Sequence, residues 1–241
     1  MNDNYRFRDQ FDQVFRQMAV AAGAREIQYP ERLPASVLER ADYFESFSET
    51  AVPAVTGTFF QPAVCYQIYE ALAGQCLDTP LTLTSVGRCR RNEKSCDDAR
   101  LREFTMREVV LVGSAPWVEV QRRSWSVRVL EFAGEIGLEA SLEVATDPFF
   151  TNEKIRGKKL LQQLKELKLE LQAGIGDDRR TALASFNLHE TYFGQRFQIS
   201  LSDGSPAASA CVAFGLERWS LAAIRQLGAF VLAPHTIMAQ R

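Results

Sequence analysis

The sequence predicts an α+β domain built on an antiparallel β-sheet. Three observations carry this reading. Leu81–Val86 alternates apolar residues with Thr and Ser, the two-residue period of a half-buried strand, and Phe104–Val112 reads as a strand that partners it. Four more extended segments crowd the second half, at Leu167–Ala173, Ala182–Leu188, Gln195–Leu201 and Ser209–Phe214. Helical patterns fall mostly outside that run, so the strand–helix–strand alternation of a parallel sheet is missing.

Each element has its own local reason. From Tyr5 to Ala22, the residues Phe7, Phe11, Val14, Phe15 and Met18 recur at helical spacing, and Gly23 is placed to end the helix. Glu26–Tyr29 alternates like a strand and stops at Pro30. Leu38–Phe47 reads as a short helix and Thr58–Phe60 as extended chain. Pro62 suits the first turn of a helix running to Leu72. Arg88–Arg102 is polar and charged, a loop between the two alternating strands. Pro116 opens a helix to about Phe132, Leu142–Ala145 is extended, and Lys158–Leu164 is helical. A last helix spans Leu216–Gln226, with Gly228 just beyond it. No repeat, low-complexity tract or Ser/Gly linker divides the 241 residues, so residues 1–241 read as one domain.

Composition narrows the function. The chain carries 28 Lys+Arg against 30 Asp+Glu, for a net charge of −2, and is 46% hydrophobic. That excludes disorder and a polycation that coats nucleic acid without a specific site. No apolar run is long enough for a membrane span, and the acidic start is unlike an export signal. The expectation is a cytoplasmic protein. Five cysteines, an odd number with no export signal, speak against a disulfide framework. Cys76 reads as a small buried apolar residue, and Cys89 and Cys96 as loop thiols.

Arginine is concentrated in one place. Arg88, Arg90, Arg91, Lys94, Arg100, Arg102 and Arg107 lie in and beside the loop joining two strands. Guanidinium forks match phosphate oxygens, which makes this hairpin a candidate polyphosphate clamp. On charge alone the simpler reading is a solvated surface loop. Ala213-Phe214-Gly215-Leu216-Glu217-Arg218 joins a strand to a helix at a glycine, with an arginine one turn in. By itself that pattern says only that the junction is tight.

Together these segments resemble motifs 2 and 3 of the class II aminoacyl-tRNA synthetases. Arg91 and Glu93 fall where motif 2 begins, and Arg100 and Phe104 where it resumes after its variable loop. Arg218 ends motif 3. The opening helix, Glu26–Tyr29 and Pro30 are similar to motif 1. Two positions depart from the pattern: Ala213 replaces the first glycine of motif 3, and Arg90 stands where an aromatic or hydrophobic residue usually precedes Arg91. Pro62-Ala63-Val64-Cys65-Tyr66, Met106-Arg107-Glu108, Asp147-Pro148-Phe149-Phe150, Ser185-Phe186-Asn187 and Ala210-Cys211-Val212 narrow the resemblance. They resemble the amino acid:[carrier protein] ligases, shortened homologues of the seryl-tRNA synthetases of methanogens.

The resemblance implies a specific chemistry. Arg91 would hold the α-phosphate and the amino-acid carboxylate. Phe104 and Arg218 would sandwich the adenine of ATP, Glu93 would meet its exocyclic amine, and Arg100 would reach the terminal phosphates, with Mg²⁺ bridging them. Cys65, Glu108 and Cys211 would bind zinc. Three protein ligands leave one position open, which is the catalytic zinc pattern, and in the family it takes the substrate's amino group. Lys168 and Glu170 share one strand face, which the resemblance puts near the amino-acid pocket. An exposed ion pair is the plain alternative for them. Buried packing is the alternative for Cys65 and Cys211.

His189 reads as a structural or outer-sphere group, or less simply as a nucleophilic partner of Cys65. His235 carries no signal. Lys154, Arg156, Lys158 and Lys159 suit an acidic partner or a solvated helix start. The expected partners are a small amino acid, a phosphopantetheinylated acyl carrier protein and a second copy of the chain. A tRNA acceptor is not expected, since the chain starts at motif 1 without the tRNA-binding extension. The alternatives are aminoacylation of tRNA or another small acceptor, a catalytically silent paralogue, and a zinc protein whose arginine hairpin binds nucleic acid. An isoelectric point of about 5.8 counts against the last.

Overall fold

The computed structural model describes residues 3–145 and 166–228. In chain order the elements are α1 (Asp3–Ala21), β1 (Arg25–Glu26), β2 (Arg32–Pro34), α2 (Ala35–Arg40), α3 (Tyr43–Phe47), β3 (Thr58–Phe60), α4 (Cys65–Ala71) and β4 (Cys76–Leu77). There follow β5 (Leu81–Arg90), β6 (Glu103–Gly113), α5 (Ala115–Glu135), β7 (Ala140–Val144), β8 (Lys168–Gly174), β9 (Arg180–Glu190), α6 (Tyr192–Phe197), β10 (Ser200–Leu201), β11 (Ala208–Gly215) and α7 (Leu216–Leu227).

A seven-stranded sheet in the order β1-β5-β6-β11-β9-β8-β7 organises the chain. Every pairing in it is antiparallel except β1 with β5. The period of two along β6 explains what each face carries. Val109 and Leu111 enter a core with α1, α5 and α7, where Phe15 stacks on Phe214 at 4.1 Å and Trp219 is fully buried. Burying an aromatic of this size contributes about 1.5–3 kcal/mol. Val110 and Val112 enter a second core on the opposite face, with Leu38, Ile68, Tyr69, Phe193 and Phe197 from α2, α4 and α6. One face is therefore covered by three long helices. Among the described residues the other is covered only at one end, which leaves a concavity over β6, β11, β9 and β8.

The structure corrects several expectations. Leu38–Phe47 is two short helices, broken at Asp42 by a left-handed backbone conformation (φ 51°). The helix expected from Pro62 begins at Cys65. β5 continues to Arg90, so the arginine loop starts later than its charge suggests. Gln195–Leu201 is the largest miss. Its alternation of Phe197, Ile199 and Leu201 looks extended, yet Phe193 and Phe197 sit one helical turn apart on α6 and both enter the second core. Gly194 permits this, because a Cβ there would stand 2.0 Å from the Ala207 carbonyl oxygen. Cys76 is exposed and Cys89 is buried on β5, the reverse of the expectation for each. All five cysteines are free thiols. The helix at Lys158–Leu164, the segment Asp147–Phe150, the basic cluster Lys154, Arg156, Lys158 and Lys159, and His235 lie outside the described residues. Among the described residues no helix is long and apolar enough to cross a membrane.

Candidate active site

The concavity is a cavity of about 690 Å³. Its walls contain all ten residues singled out from the sequence: Cys65, Arg91, Glu93, Arg100, Phe104, Glu108, Lys168, Glu170, Cys211 and Arg218. They come from α4, the loop between β5 and β6, β6 itself, β8, β11 and α7.

At one end, Cys65, Glu108 and Cys211 converge. Cys65 opens α4, and its backbone N–H donates to Glu108 Oε2 at 2.5 Å. Glu108 on β6 and Cys211 on β11 occupy neighbouring strands two residues out of register, since Cys211 pairs with Val110 and Glu108 with Ala213. The two sulfurs and a carboxylate oxygen all lie within 4.8 Å of one another, and all three residues are buried. Zinc–sulfur bonds of about 2.3 Å in a tetrahedron put two sulfurs roughly 3.7 Å apart, so the spacing is of the right scale. The electrostatics agree. The hydrogen bond to Cys211, then burial and the Glu108 charge, push the Cys65 thiol well above its ordinary range. The Cys65 hydrogen bond favours the Cys211 thiolate, but burial and Glu108 outweigh it and its pKa is raised. Burial raises Glu108 as well. All three shifts oppose ionisation, so protons compete with a metal here, and a divalent cation would favour the ionised forms. The donor set fits zinc.

β9 brings further groups to this cluster. Asn187 donates Nδ2–H to Cys211 Sγ at 3.3 Å. His189 Nε2 lies 3.8 Å from the same sulfur, while Nδ1 lies 3.1 Å from the Tyr69 hydroxyl. Burial lowers the His189 pKa to about 3, so the imidazole is neutral. The outer-sphere reading of His189 therefore agrees with its place, which is beside Cys211. Lys168 and Glu170 do share a face of β8. They form an ion pair of 2.7 Å that is largely enclosed, not exposed, and Gln172 Nε2 also donates to Glu170.

At the other end, backbone carbonyls fix the arginines. Arg91 Nε–H donates to the Pro62 carbonyl at 2.9 Å, and its guanidinium stands 5.1 Å from the centre of the Phe104 ring. Arg218 donates to the carbonyls of Ala99 (2.8 Å) and Ala182 (3.1 Å), and burial lowers its pKa. Those two bonds lock the guanidinium plane, as a stacking platform requires. Arg100 approaches Glu93 at 3.4 Å. Arg90 turns away from the cavity and lies over Phe60 at 3.9 Å. Ala213 lines the floor between Glu108 and Ser185.

Some wall residues were not anticipated. Glu217 accepts the Thr105 N–H with both carboxylate oxygens, at 2.9 and 2.8 Å, and so ties the start of β6 to α7. Its place directly before Arg218 was the available signal. Tyr43 and Phe47 of α3, Tyr66 of α4 and Asp42 also line the cavity. Nothing local in their sequence marks them.

The fold is that of the class II aminoacyl-tRNA synthetase domains. The structural likeness agrees. The chain superposes on M. kandleri SerRS, in its complex with A. aeolicus tRNASec, at a TM-score of 0.80 and 17% identity, over 97% of this chain and 53% of that one. It superposes on Pyrococcus horikoshii seryl-tRNA synthetase complexed with ATP at 0.74 and 13% identity, over 94% and 52%. No protein-family model matches. By sequence, amino acid–[acyl-carrier-protein] ligase 2 of Bradyrhizobium diazoefficiens is 33% identical, over 78% of this chain and 56% of the relative. Ligase 1 of the same organism is 30% identical, over 83% and 71%. The type-2 serine–tRNA ligase of Methanocaldococcus jannaschii is 26% identical, over 71% and 35%. The chain belongs to the amino acid–[acyl-carrier-protein] ligase family, and it spans between about half and about seven-tenths of those two ligases.

Proposed function

We propose that this chain activates a small amino acid with ATP and passes the aminoacyl group to the phosphopantetheine thiol of an acyl carrier protein. One observation carries the reading: the thiol–carboxylate–thiol cluster and the arginine–aromatic end lie in the walls of one cavity. A site of that kind can hold an amino acid by its amine and ATP by its phosphates and base at the same time.

In the first step the amino-acid carboxylate attacks the α-phosphorus, a P–O bond forms, and the bond to pyrophosphate breaks. ATP draws Arg91 off the Phe104 ring onto the α-phosphate, where the charge of the transition state develops. Phe104 and the fixed Arg218 then take the adenine between them, with Glu93 toward its amine. Arg100 leaves Glu93 for the terminal phosphates. Bound Mg²⁺ would offset their charge. Cys65, Glu108 and Cys211 would hold zinc, which would supply a Lewis acid for the substrate's amine. Lys168 and Glu170 border the amino-acid end. In the second step the carrier thiol attacks the acyl carbon, a thioester forms, and AMP leaves. The same reading makes the protein a cytoplasmic homodimer joined through α1, β1 and Pro30. The free thiols support a reducing compartment.

The test is acceptor loading. The protein, ATP and an amino-acid mixture are incubated with phosphopantetheinylated carrier protein or with tRNA. A hydroxylamine-sensitive mass gain on the carrier alone is the predicted result. Loading of tRNA alone would replace the carrier with an RNA acceptor.

A further inference from the structure

α4 supplies two groups to the cluster, because Cys65 and Tyr69 lie one helical turn apart on the same face. Tyr69 is fully buried and stacks on Phe193 at 4.2 Å. Phe193 in turn meets the His189 ring edge-on at 4.8 Å. The pairing of β9 with β11 shifts at this point. Leu188 faces Ala210 and Glu190 faces Ser209, so His189 is the extra residue of a β-bulge. A bulge redirects a side chain that regular pairing would aim elsewhere. Here it presents Nε2 to Cys211 Sγ at 3.8 Å and Nδ1 to the hydroxyls of Tyr69 (3.1 Å) and Ser209 (3.4 Å).

We propose that Tyr69 and His189 are positioning residues that aim an N–H at the Cys211 sulfur and so set how strongly that thiolate donates to a bound metal. The inference rests on the zinc reading given above. Direction follows from chemistry. A thiolate only accepts, so Nε2 carries the proton, Nδ1 accepts, and the Tyr69 hydroxyl donates to it. With Asn187 Nδ2–H at 3.3 Å, Cys211 receives two side-chain N–H groups from β9. Each draws electron density from the sulfur and fixes its orientation. A bound metal would then be held more firmly and be a stronger Lewis acid toward an amine.

Cobalt(II) in place of zinc makes this visible, because thiolate-to-cobalt charge transfer absorbs in the near ultraviolet. Wild type, Tyr69→Phe, His189→Ala and His189→Gln are compared by that band and by zinc affinity in chelator competition. The band moves to longer wavelength in Tyr69→Phe and His189→Ala, and zinc affinity falls about tenfold. His189→Gln, whose amide N–H lies near the Nε2 position, recovers much of both. A merely structural role would lower the melting temperature and leave the band in place, which overturns the proposal. Should His189→Ala fail to fold, Tyr69→Phe, which loses one hydroxyl, decides alone. A wild-type protein with no thiolate–cobalt band overturns the metal reading itself, a result distinct from bands that do not move.

Discussion

Arg107 and Glu108 are adjacent on β6 and serve opposite faces of the sheet. The Arg107 guanidinium is 1% exposed. It bonds Asp12 of α1 through Nε (2.6 Å) and Nη2 (3.1 Å), and Glu26 of β1 at 3.2 Å. Glu108, one residue on, turns to the cavity and accepts the Cys65 N–H. The helix–strand unit at the start of the chain is thereby fastened to the strand that carries a metal-ligand candidate.

Arg107→Met removes the cation and leaves Asp12 and Glu26 facing a buried methyl group. The two carboxylates keep some contact with water, so the cost is about 3 kcal/mol, toward the low end for a broken buried ion pair. Urea denaturation checks this through a lower midpoint at unchanged slope. A midpoint equal to wild type would mean that the ion pairs do not hold α1 to the sheet.

Arg91→Ala leaves the fold intact and removes the group assigned to the developing charge on the α-phosphate. Amino-acid-dependent ATP–pyrophosphate exchange falls on the order of 10²–10³-fold. Arg90→Ala, at the neighbouring residue outside the cavity, lowers it far less. Equal losses for the two would show that charge near the hairpin matters and the position of Arg91 does not.

Zinc affinity falls with falling pH. The Cys65, Cys211 and Glu108 pKa values are all raised in the metal-free protein, so protons compete with the metal and binding releases them. Isothermal titration at neutral pH in two buffers of different ionisation enthalpy reads that release directly. A heat that does not change between buffers contradicts it.

Gly194→Ala strains the contact of α6 with the backbone of Ala207, just before β11. The added methyl must displace the Ala207 backbone, at a cost of about 1–3 kcal/mol. The neighbouring Gln195→Ala is close to neutral. Thermal melting distinguishes them, and equal melting temperatures would mean that the close approach is absent in solution.

Asp98 accepts hydrogen bonds from Arg179 (3.0 and 3.2 Å) and Arg225 (3.1 Å), which tether the arginine loop to the β8–β9 turn and to α7. The Arg179 hydrogen bond holds the carboxyl below its ordinary pKa. Its contribution is therefore present above the unfolded-state pKa and is lost as pH falls through the folded one. At a third exposed, the pairing contributes under about 1 kcal/mol. Asp98→Asn removes the difference in stability between neutral and acidic pH that this group supplies, which paired melts at the two pH values measure.

Local physics was legible where one face of an element decides its packing. The alternation in Leu81–Val86 and the strand read at Phe104–Val112 anticipated β5 and β6, and the helical spacing of Phe7, Phe11, Phe15 and Met18 anticipated α1, because the apolar side chains of each enter a core. It misled at Gln195–Leu201, where Phe197, Ile199 and Leu201 alternate by coincidence and a packing constraint at Gly194 decides the outcome. It also misplaced Cys76 and Cys89, since a cysteine's burial depends on which strand it joins. The approach of Cys65, Glu108 and Cys211 was not readable from spacing. It depends on α4 lying across the sheet and on the register of β6 with β11, and only the family resemblance pointed to it. Tyr69 and the bulge at His189 left no sequence signal.

The central claim is that one cavity joins amino-acid activation to a cysteine–glutamate–cysteine metal site. ATP–pyrophosphate exchange with a panel of amino acids, on zinc-replete and chelated protein side by side, tests it most directly. The account predicts exchange driven by one or a few small amino acids, lost on chelation and restored by zinc. Zinc-containing, folded protein that exchanges with no amino acid, or exchange that survives complete removal of the metal, would contradict it.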